Sequence, residues 1–323
     1  MRSPCRSVLV SLSTLLLSIG TFGCGGGGGD GDANIPVSLR FKAVDGALDV
    51  GCESVISGLG PDGKSTVGVS DLRFYISNLR FFDQSGSELS TRLASNSFQL
   101  NDSSGSVALI DLTSNTSGTC TNSAIAFSEG TERVNDTVSA FVEEGSIASV
   151  SFDVGVPQAL MKQVVSSYTA EDAPSPLGEM YWSWASGYRH FVFNFTVNAR
   201  NRTSGEGYLH LGSRDCGGNG AIALTDRESC GFLNTPAVSF AGFDPNLNTV
   251  TVDIRKALNG LSFVTEIYDT NPPYEALGSG PGVACHSAPP EGQPDCGPVF
   301  ANFGLDTATG NSVASANSVF SFQ

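Results

Sequence analysis

The chain has 323 residues, and its 17 Lys and Arg against 32 Asp and Glu give a formal net charge of −15 at pH 7. This acidic balance argues against nucleic acid as a partner and favours attraction of cations or of a basic protein. Solubility is the simpler explanation of the same charge, so charge alone does not identify a function.

The N-terminus has the pattern of an export signal. Two arginines precede a short apolar run, and Cys24 and a glycine tract follow it. The run is too short to span a membrane. We interpret residues 1–23 as a signal peptide and residues 24–34 as a Gly-rich tether, with Cys24 as the lipidated first residue of a bacterial lipoprotein or, alternatively, an ordinary cleavage site. Either interpretation exports the protein to the periplasm or outer membrane of a Gram-negative bacterium.

Six cysteines remain once Cys5 and Cys24 are set aside. An even number in an exported chain predicts three disulfide bonds. Sequence does not determine the connectivity, but short separations favour Cys216–Cys230 and Cys285–Cys296, which leaves Cys52 with Cys120. None of these cysteines has the CxxC spacing of a structural zinc site.

From residue 35 onward, short segments alternate apolar and polar residues and are separated by Gly, Ser and Asn. This pattern predicts one all-β, sandwich-like domain over residues 35–323, with short helices and disulfide staples. Strands are predicted at 35–43, 71–82, 107–112, 124–127, 137–142, 147–154, 191–199, 208–211, 237–240, 250–254 and 319–322. Helices are predicted at 157–167 and 255–261, and the tail from residue 272 is expected to be rich in loops.

Residues 177–216 hold both tryptophans and two of the three histidines. If the first part is extended, Trp182 and Trp184 project to the same face, and residues 186–187 supply a turn. In the strand at 208–211, His210 points away from Leu209 and Leu211. Two indoles and a histidine therefore converge on one side of a sheet, either as packing and a hydrogen-bonded histidine or as a functional site.

No arrangement typical of an enzyme stands out. The chain has no GxSxG or HExxH motif, and its three histidines lie far apart in sequence. We therefore expect a protein that is not itself an enzyme.

The segments MYWSWASGY and HLGSRDC resemble the signature of the methanobactin-associated, MbnP-like copper-binding proteins, also called metallo-mystery-pair four-Cys motif proteins. Further segments match the family in the same order, so the resemblance covers nearly the whole mature chain. They are FKAV before Cys52, DLRFYISNLRFF, VALIDL before Cys120, and CHSAPPEGQPDCGPVFANFGLD.

This resemblance implies an exported, mainly β protein that is encoded with a di-haem cytochrome c peroxidase-like partner of the MauG type. In relatives that partner oxidises a tryptophan to kynurenine, and the new amine joins histidines at a copper site. Indole is an easily oxidised side chain, and opening its pyrrole ring yields an aromatic amine that can bind a borderline metal. The haem partner supplies the redox chemistry, so this protein would be its substrate.

Residue by residue, Trp182 and Trp184 fall on the family's WxW motif and His210 on the histidine of its HLGS motif. Relatives commonly carry an Asn-His pair before the WxW motif, but residues 158–176 contain no histidine here. His190 and His286 are the candidates to substitute as ligands. Alternatively, both are polar surface residues. The alternative function is that of a surface module that has lost copper and binds a sugar or a protein partner through its aromatic segment.

Overall fold

A computed structural model of the chain describes residues 34–52, 54–114, 120, 133–168, 172–183, 187–199, 205–216, 230–268 and 276–323. The predicted signal peptide, Cys24, the predicted strand at 124–127 and Trp184 lie outside these described residues. Within them, no helix is long and apolar enough to cross a membrane.

Strands dominate this part of the chain, as the alternating pattern predicts. They are β1 (Ile35–Asp45), β2 (Leu48–Val50), β3 (Val55–Leu59), β4 (Ser65–Phe82), β5 (Glu88–Leu89), β6 (Thr91–Leu93), β7 (Gln99–Asp102), β8 (Gly105–Asp111), β9 (Thr137–Val142), β10 (Ser149–Val154), β11 (Tyr181–Ser183), β12 (Gly187–Ala199), β13 (Gly205–Gly212), β14 (Ala237–Ala241), β15 (Val250–Asp253), β16 (Val264–Tyr268), β17 (Ala276–Pro281), β18 (Val283–His286), β19 (Phe303–Leu305), β20 (Ser312–Asn317) and β21 (Phe320–Phe322). The helices of the same residues are α1 (Gln158–Ser167), α2 (Ile254–Ala257) and α3 (Cys296–Asn302).

Two large sheets make up most of the fold. The larger sheet has the strand order β14-β10-β4-β12-β13-β18, with β3, β5 and β8 also paired to β4, β7 to β8, and β11 to β12. The smaller sheet has the order β21-β15-β1-β9-β6, with β2 paired to β1. The strands β16 and β17 form one separate hairpin, and β19 and β20 form another.

The main core lies between the two sheets. Phe41 of the smaller sheet meets Phe74 and Phe152 of the larger one edge to face, with ring centroids 5.6 and 5.7 Å apart. Edge-to-face contacts add to the free energy that burial of aromatic surface contributes. The sandwich-like, all-β architecture expected from the sequence is therefore confirmed.

Strand β4 is the longest strand of the larger sheet. The side of this strand that points into the main core switches part-way along. Leu72, Phe74 and Ile76 point into the main core, as their alternation predicts. Asn78 then takes a positive φ of 50°, and the pairing of β4 with β10 shifts register beside it. Such a bulge adds one residue to a strand, so the core-facing position moves to Phe81.

The observed helices match those predicted from the sequence only in part. Helix α1 matches the predicted 157–167 segment, with Pro157 at its N-cap position. Helix α2 is shorter than predicted, and the Asp253 side chain accepts the Lys256 N–H at its start. Helix α3 was not predicted, because proline and glycine in its first turn resemble a loop, although proline is compatible with a first turn.

All three favoured disulfide pairings are present. Cys52 bonds to Cys120, Cys216 to Cys230, and Cys285 to Cys296. The third bond ties β18 to the start of α3. It therefore anchors the strand that carries His286.

The outer face of the larger sheet is covered by α1 and by residues 172–183. A second apolar cluster fills this layer, and its members include Leu160 of α1, Leu177, Met180 and Tyr188. Two buried anchors, Leu177 and Met180, therefore precede β11 directly. They hold the segment that carries Trp182 against the sheet.

Gly187 allows β11 to fold back closely onto β12. Its φ is +72°, and a Cβ atom at this position would lie only 2.5 Å from both Met161 Sδ and Ser213 Oγ. Only glycine combines this conformation with this lack of space. The close approach supports the pairing of Tyr181 with Tyr188 that places Trp182 next to the sheet.

Candidate metal centre

Strand register brings four polar or aromatic side chains onto the outer face of the larger sheet. In β13, His210 pairs with Val192 of β12 on one side and with His286 of β18 on the other. Paired residues share a face, and so do residues two apart along a strand. Asn194, Tyr208, His210 and His286 therefore lie on one face, while Leu209 and Leu211 point into the main core as predicted.

His210 and His286 are in direct contact. Their Nδ1 atoms are 3.0 Å apart, and their ring centroids are separated by 4.8 Å. His210 is buried and His286 is half-buried. The sequence suggested each histidine separately as a ligand, and the structure brings these two together.

Asn194 determines which nitrogen of His210 carries the proton. The Nε2 atom of His210 lies 2.7 Å from Asn194 Oδ1, which can only accept a hydrogen bond. The Nε2–H therefore donates to Asn194, and the lone pair of His210 is on Nδ1, facing His286. Sequence reasoning missed Asn194, although its alternation with Phe193 and Phe195 places it on the outer face.

Ser287 holds the two histidine strands in register. Its hydroxyl donates to the His210 carbonyl oxygen at 3.0 Å and accepts the Gly212 N–H at 2.7 Å. The His286 N–H donates to Gln293 Oε1 at 2.6 Å. These bonds fix the end of β18 and with it the position of the His286 ring.

Two aromatic rings flank the histidine pair. The Trp182 ring centroid lies 6.3 Å from that of His210 and 6.0 Å from that of His286. The Tyr208 ring lies 5.6 Å from His210 and 5.3 Å from His286. The predicted convergence of an indole and a histidine on one side of the sheet is thus present for Trp182, whereas Trp184 lies outside the described residues.

His210 is held in its neutral form. Burial is the main cause that lowers its pKa well below the usual value, and the nearby His286, Arg189 and Arg73 lower it further. A neutral imidazole has a lone pair available for a metal ion or for a hydrogen bond.

The separation of the two Nδ1 atoms fits two ligands of one metal ion. Two nitrogens each about 2.0 Å from a metal are about 2.8 Å apart at a right angle and about 3.3 Å apart at the tetrahedral angle. The observed 3.0 Å lies between these values. No group of three or more His, Cys, Asp or Glu side chains among the described residues could hold a metal ion. A third ligand from this part of the chain would therefore be of another chemical type.

His190 is buried, and both of its ring nitrogens bond to main-chain groups outside this cluster. Its Nδ1 accepts the Val156 N–H at 3.2 Å, so its Nε2–H donates to the Leu233 carbonyl oxygen at 3.0 Å. The alternative that His190 is a surface residue is wrong, because it is buried. With both nitrogens bonded, His190 serves to join β12 to two neighbouring segments.

Acidification should destabilise the protein through His190. Burial lowers the pKa of His190 from 6.5 to about 4, so between these pH values the unfolded chain binds more protons than the folded one. The contribution of His190 to the free energy of unfolding is fully present above pH 6.5. Its loss should lower the free energy of unfolding by about 3 kcal/mol towards pH 4. Urea unfolding at pH 7 and pH 4.5 measures the loss. The buried His210 acts in the same direction, so the His190→Gln variant should still lose unfolding free energy on acidification, but less than the wild type. An equal loss in both proteins would contradict the assignment of this effect to His190.

A buried ion pair supports the segment that leads to Trp182. Arg73 donates to both carboxylate oxygens of Asp71, at 2.7 to 3.1 Å. Its Nη1 also lies 4.0 Å from Glu179, which pairs with Arg133 as well. Burial raises the pKa of Glu179, although both arginines counteract this effect. Glu179 precedes Trp182 by three residues, so the ion pair helps to fix the indole.

Together, these features define an all-β sandwich with a histidine pair and a tryptophan on the outer face of its larger sheet. The family model described as MbnP matches residues 34–275, so the chain belongs to the MbnP family. The fold is similar to that of MbnP from Methylosinus trichosporium, with a TM-score of 0.66 and 24% sequence identity, over 89% of this chain and 97% of that one. No curated protein sequence matches the chain. The resemblance inferred from the sequence motifs is confirmed.

Proposed function

We propose that this protein is an exported copper-binding protein in which Trp182 is oxidised to kynurenine by a di-haem peroxidase-like partner. The main support is the histidine pair, whose Nδ1 atoms are 3.0 Å apart and whose ring centroids lie 6.3 and 6.0 Å from that of Trp182. Imidazole is a preferred ligand of copper. In this proposal copper is the bound cargo, and the protein is the substrate of its partner rather than an enzyme.

The residues of the site have separate tasks. His210 and His286 present the two imidazole ligands. Asn194 keeps the proton of His210 on Nε2, which leaves Nδ1 available, and this outer hydrogen bond orients the ring. The third ligand is the aromatic amine that oxidation of Trp182 would create.

The proposed conversion of Trp182 supplies the donor that the two histidines need. Opening of the pyrrole ring removes one carbon atom from the side chain, adds one oxygen atom and frees an amine on the benzene ring. Two molecules of hydrogen peroxide, used by the haem partner as oxidant, take up the four electrons. The C2–C3 bond of the indole breaks, and hydrolysis of the resulting N-formyl group releases the lost carbon as formate and frees the amine. An intact indole offers only an N–H donor, so the change converts a non-ligand into a ligand.

Tandem mass spectrometry on protein produced in its native host tests this proposal. We expect the tryptic peptide 163–189 to show a mass increase that matches loss of one carbon and gain of one oxygen, localised to Trp182. The Trp182→Phe variant should lack the modification. Two unmodified indoles in protein made together with its genomic neighbours would refute the conversion and favour a module that binds a sugar or a protein partner. A modification confined to Trp184 would refute the role of Trp182.

A further inference from the structure

We propose that Tyr208, together with Glu206, is a one-electron relay that carries oxidising equivalents from the protein surface to Trp182. The inference rests on the proposed function, since it concerns how Trp182 is oxidised. It assigns a redox role to a tyrosine that lies beside the histidine pair and that is not one of the proposed ligands.

Tyr208 is equipped to lose an electron and a proton together. Its hydroxyl donates a 2.6 Å hydrogen bond to the Glu206 carboxylate. A phenol becomes strongly acidic when it loses an electron, so an adjacent base is needed to receive the proton. Glu206 is exposed and Tyr208 is half-buried, so the pair connects the site with the solvent.

Two other tyrosines of this layer, Tyr75 and Tyr188, are poorly suited to losing a proton together with an electron. Tyr75 is fully buried and donates its hydroxyl to the Pro176 carbonyl oxygen at 2.8 Å. An amide oxygen is a very weak base and does not take up the phenolic proton. Burial also raises the pKa of Tyr75 and of Tyr188, which disfavours loss of a proton from either residue. Tyr75 and Tyr188, whose rings meet edge to face at 6.0 Å, therefore serve packing.

The rings form a continuous path from Tyr208 to Trp182. The Tyr208 ring is tilted by 38° against His286 at 5.3 Å, and the Trp182 ring lies 6.0 Å from the same histidine. The two oxidisable rings are thus no further apart than the sum of these distances. Within the described part of the chain, the Trp182 indole forms no hydrogen bond, so it has no proton acceptor of its own there.

Each transfer moves one electron through Tyr208, while the phenolic proton moves to Glu206 and back. A one-electron oxidant, the oxidised haem of the partner in the proposed function, takes one electron from Tyr208, and the phenolic proton moves to Glu206. The resulting phenoxyl radical takes one electron from the Trp182 indole, and the proton returns from Glu206 to the phenol. Tyr208 and Glu206 are regenerated, the oxidant is reduced by one electron, and Trp182 is oxidised by one electron.

Flash photolysis tests the relay without the haem partner. Tris(bipyridine)ruthenium(II) with pentaamminechlorocobalt(III) as quencher generates the oxidant, ruthenium(III), in the presence of the full mature protein. We expect a tyrosyl radical in the wild type, seen by electron paramagnetic resonance, and oxidation of Trp182 in peptide 163–189. In Tyr208→Phe the part of the tyrosyl signal that decays as Trp182 is oxidised should be lost, and the rate of Trp182 oxidation should fall about tenfold, equivalent to about 1.4 kcal/mol in the barrier.

Two further variants separate the roles of the ring and the base. Glu206→Gln leaves the Tyr208 ring in place but removes its proton acceptor, so this variant should also slow oxidation of Trp182. Tyr168→Phe is the matched control, because Tyr168 is another solvent-accessible tyrosine, 45% exposed at the end of α1. This change should leave the rate of Trp182 oxidation unaltered.

The outcomes distinguish the relay from the proposed function. Wild-type oxidation of Trp182 in Tyr208→Phe would overturn the relay, and so would a tyrosyl radical that never leads to oxidation of Trp182. Neither result affects the proposed function, which depends on kynurenine in native protein and on copper binding. Native protein that lacks kynurenine would refute the proposed function even if the flash experiment detects transfer from Trp182 to Tyr208.

Discussion

Replacement of either His210 or His286 by alanine is expected to abolish stoichiometric copper binding. Each change removes one of the two imidazoles whose Nδ1 atoms lie 3.0 Å apart. We expect the copper affinity to fall by more than about 100-fold, because loss of only an outer hydrogen-bond partner of a ligand already costs about 10- to 100-fold. Competition against a chromogenic copper chelator, with metal content measured by mass spectrometry, gives the affinity and stoichiometry.

His190→Gln is the matched control for this experiment. It also removes one histidine, but at a position where both ring nitrogens are bonded to the main chain. Copper stoichiometry should stay at the wild-type level in this variant, provided that circular dichroism shows a folded protein at pH 7. Wild-type binding by both His210→Ala and His286→Ala, or loss of binding only in His190→Gln, would contradict the proposed ligand pair.

The second large effect is expected from Arg73→Met, which leaves the Asp71 carboxylate buried without its cation. The Arg73 side chain is 3% exposed and that of Asp71 is fully buried. Burial by itself lowers the pKa of Arg73, but Asp71, Asp111 and Glu179 raise it above the ordinary value. Breaking a buried pair of this kind costs about 3–5 kcal/mol. Urea unfolding followed by circular dichroism measures the loss.

An exposed pair provides the comparison. Arg255 also forms two hydrogen bonds to a carboxylate, that of Asp45, but its side chain is 43% exposed. Arg255→Met should cost only about 0–1 kcal/mol, since solvent screens the interaction. The double variant Asp71→Asn/Arg73→Met should be more stable than Arg73→Met because no buried charge remains. Equal losses for Arg73→Met and Arg255→Met would show that burial of the pair is unimportant.

Much of the architecture follows from local sequence patterns. The alternation of Leu72, Phe74 and Ile76 identifies the core-facing side of β4, and the short separation of Cys285 and Cys296 favours their bond. These features depend on residues near each other in the chain. The switch of face at Asn78 is less evident, because it depends on a bulge that forms against the neighbouring strand.

The candidate site was accessible from the sequence only in part. Motifs indicated Trp182 and His210, and the two-residue periodicity put His210 on the face opposite Leu209. The same reasoning indicated His190 and His286 equally as candidates for a substitute copper ligand. Burial and hydrogen bonding separate them, since His190 is bonded through both nitrogens and His286 touches His210.

By itself, the sequence determined the β class, the face on which His210 lies and the motifs of the MbnP family, and it favoured the pairing of cysteines that are close in the chain. Only the tertiary structure decided that His286 is the neighbour of His210, that Asn194 orients it and that Tyr208 and Trp182 flank the pair. The reason is physical: periodicity is a local property of one strand. Strands β13 and β18 are parallel neighbours, and their histidines are 76 residues apart. Which strands become neighbours, and in which register, is decided by packing of the whole sheet.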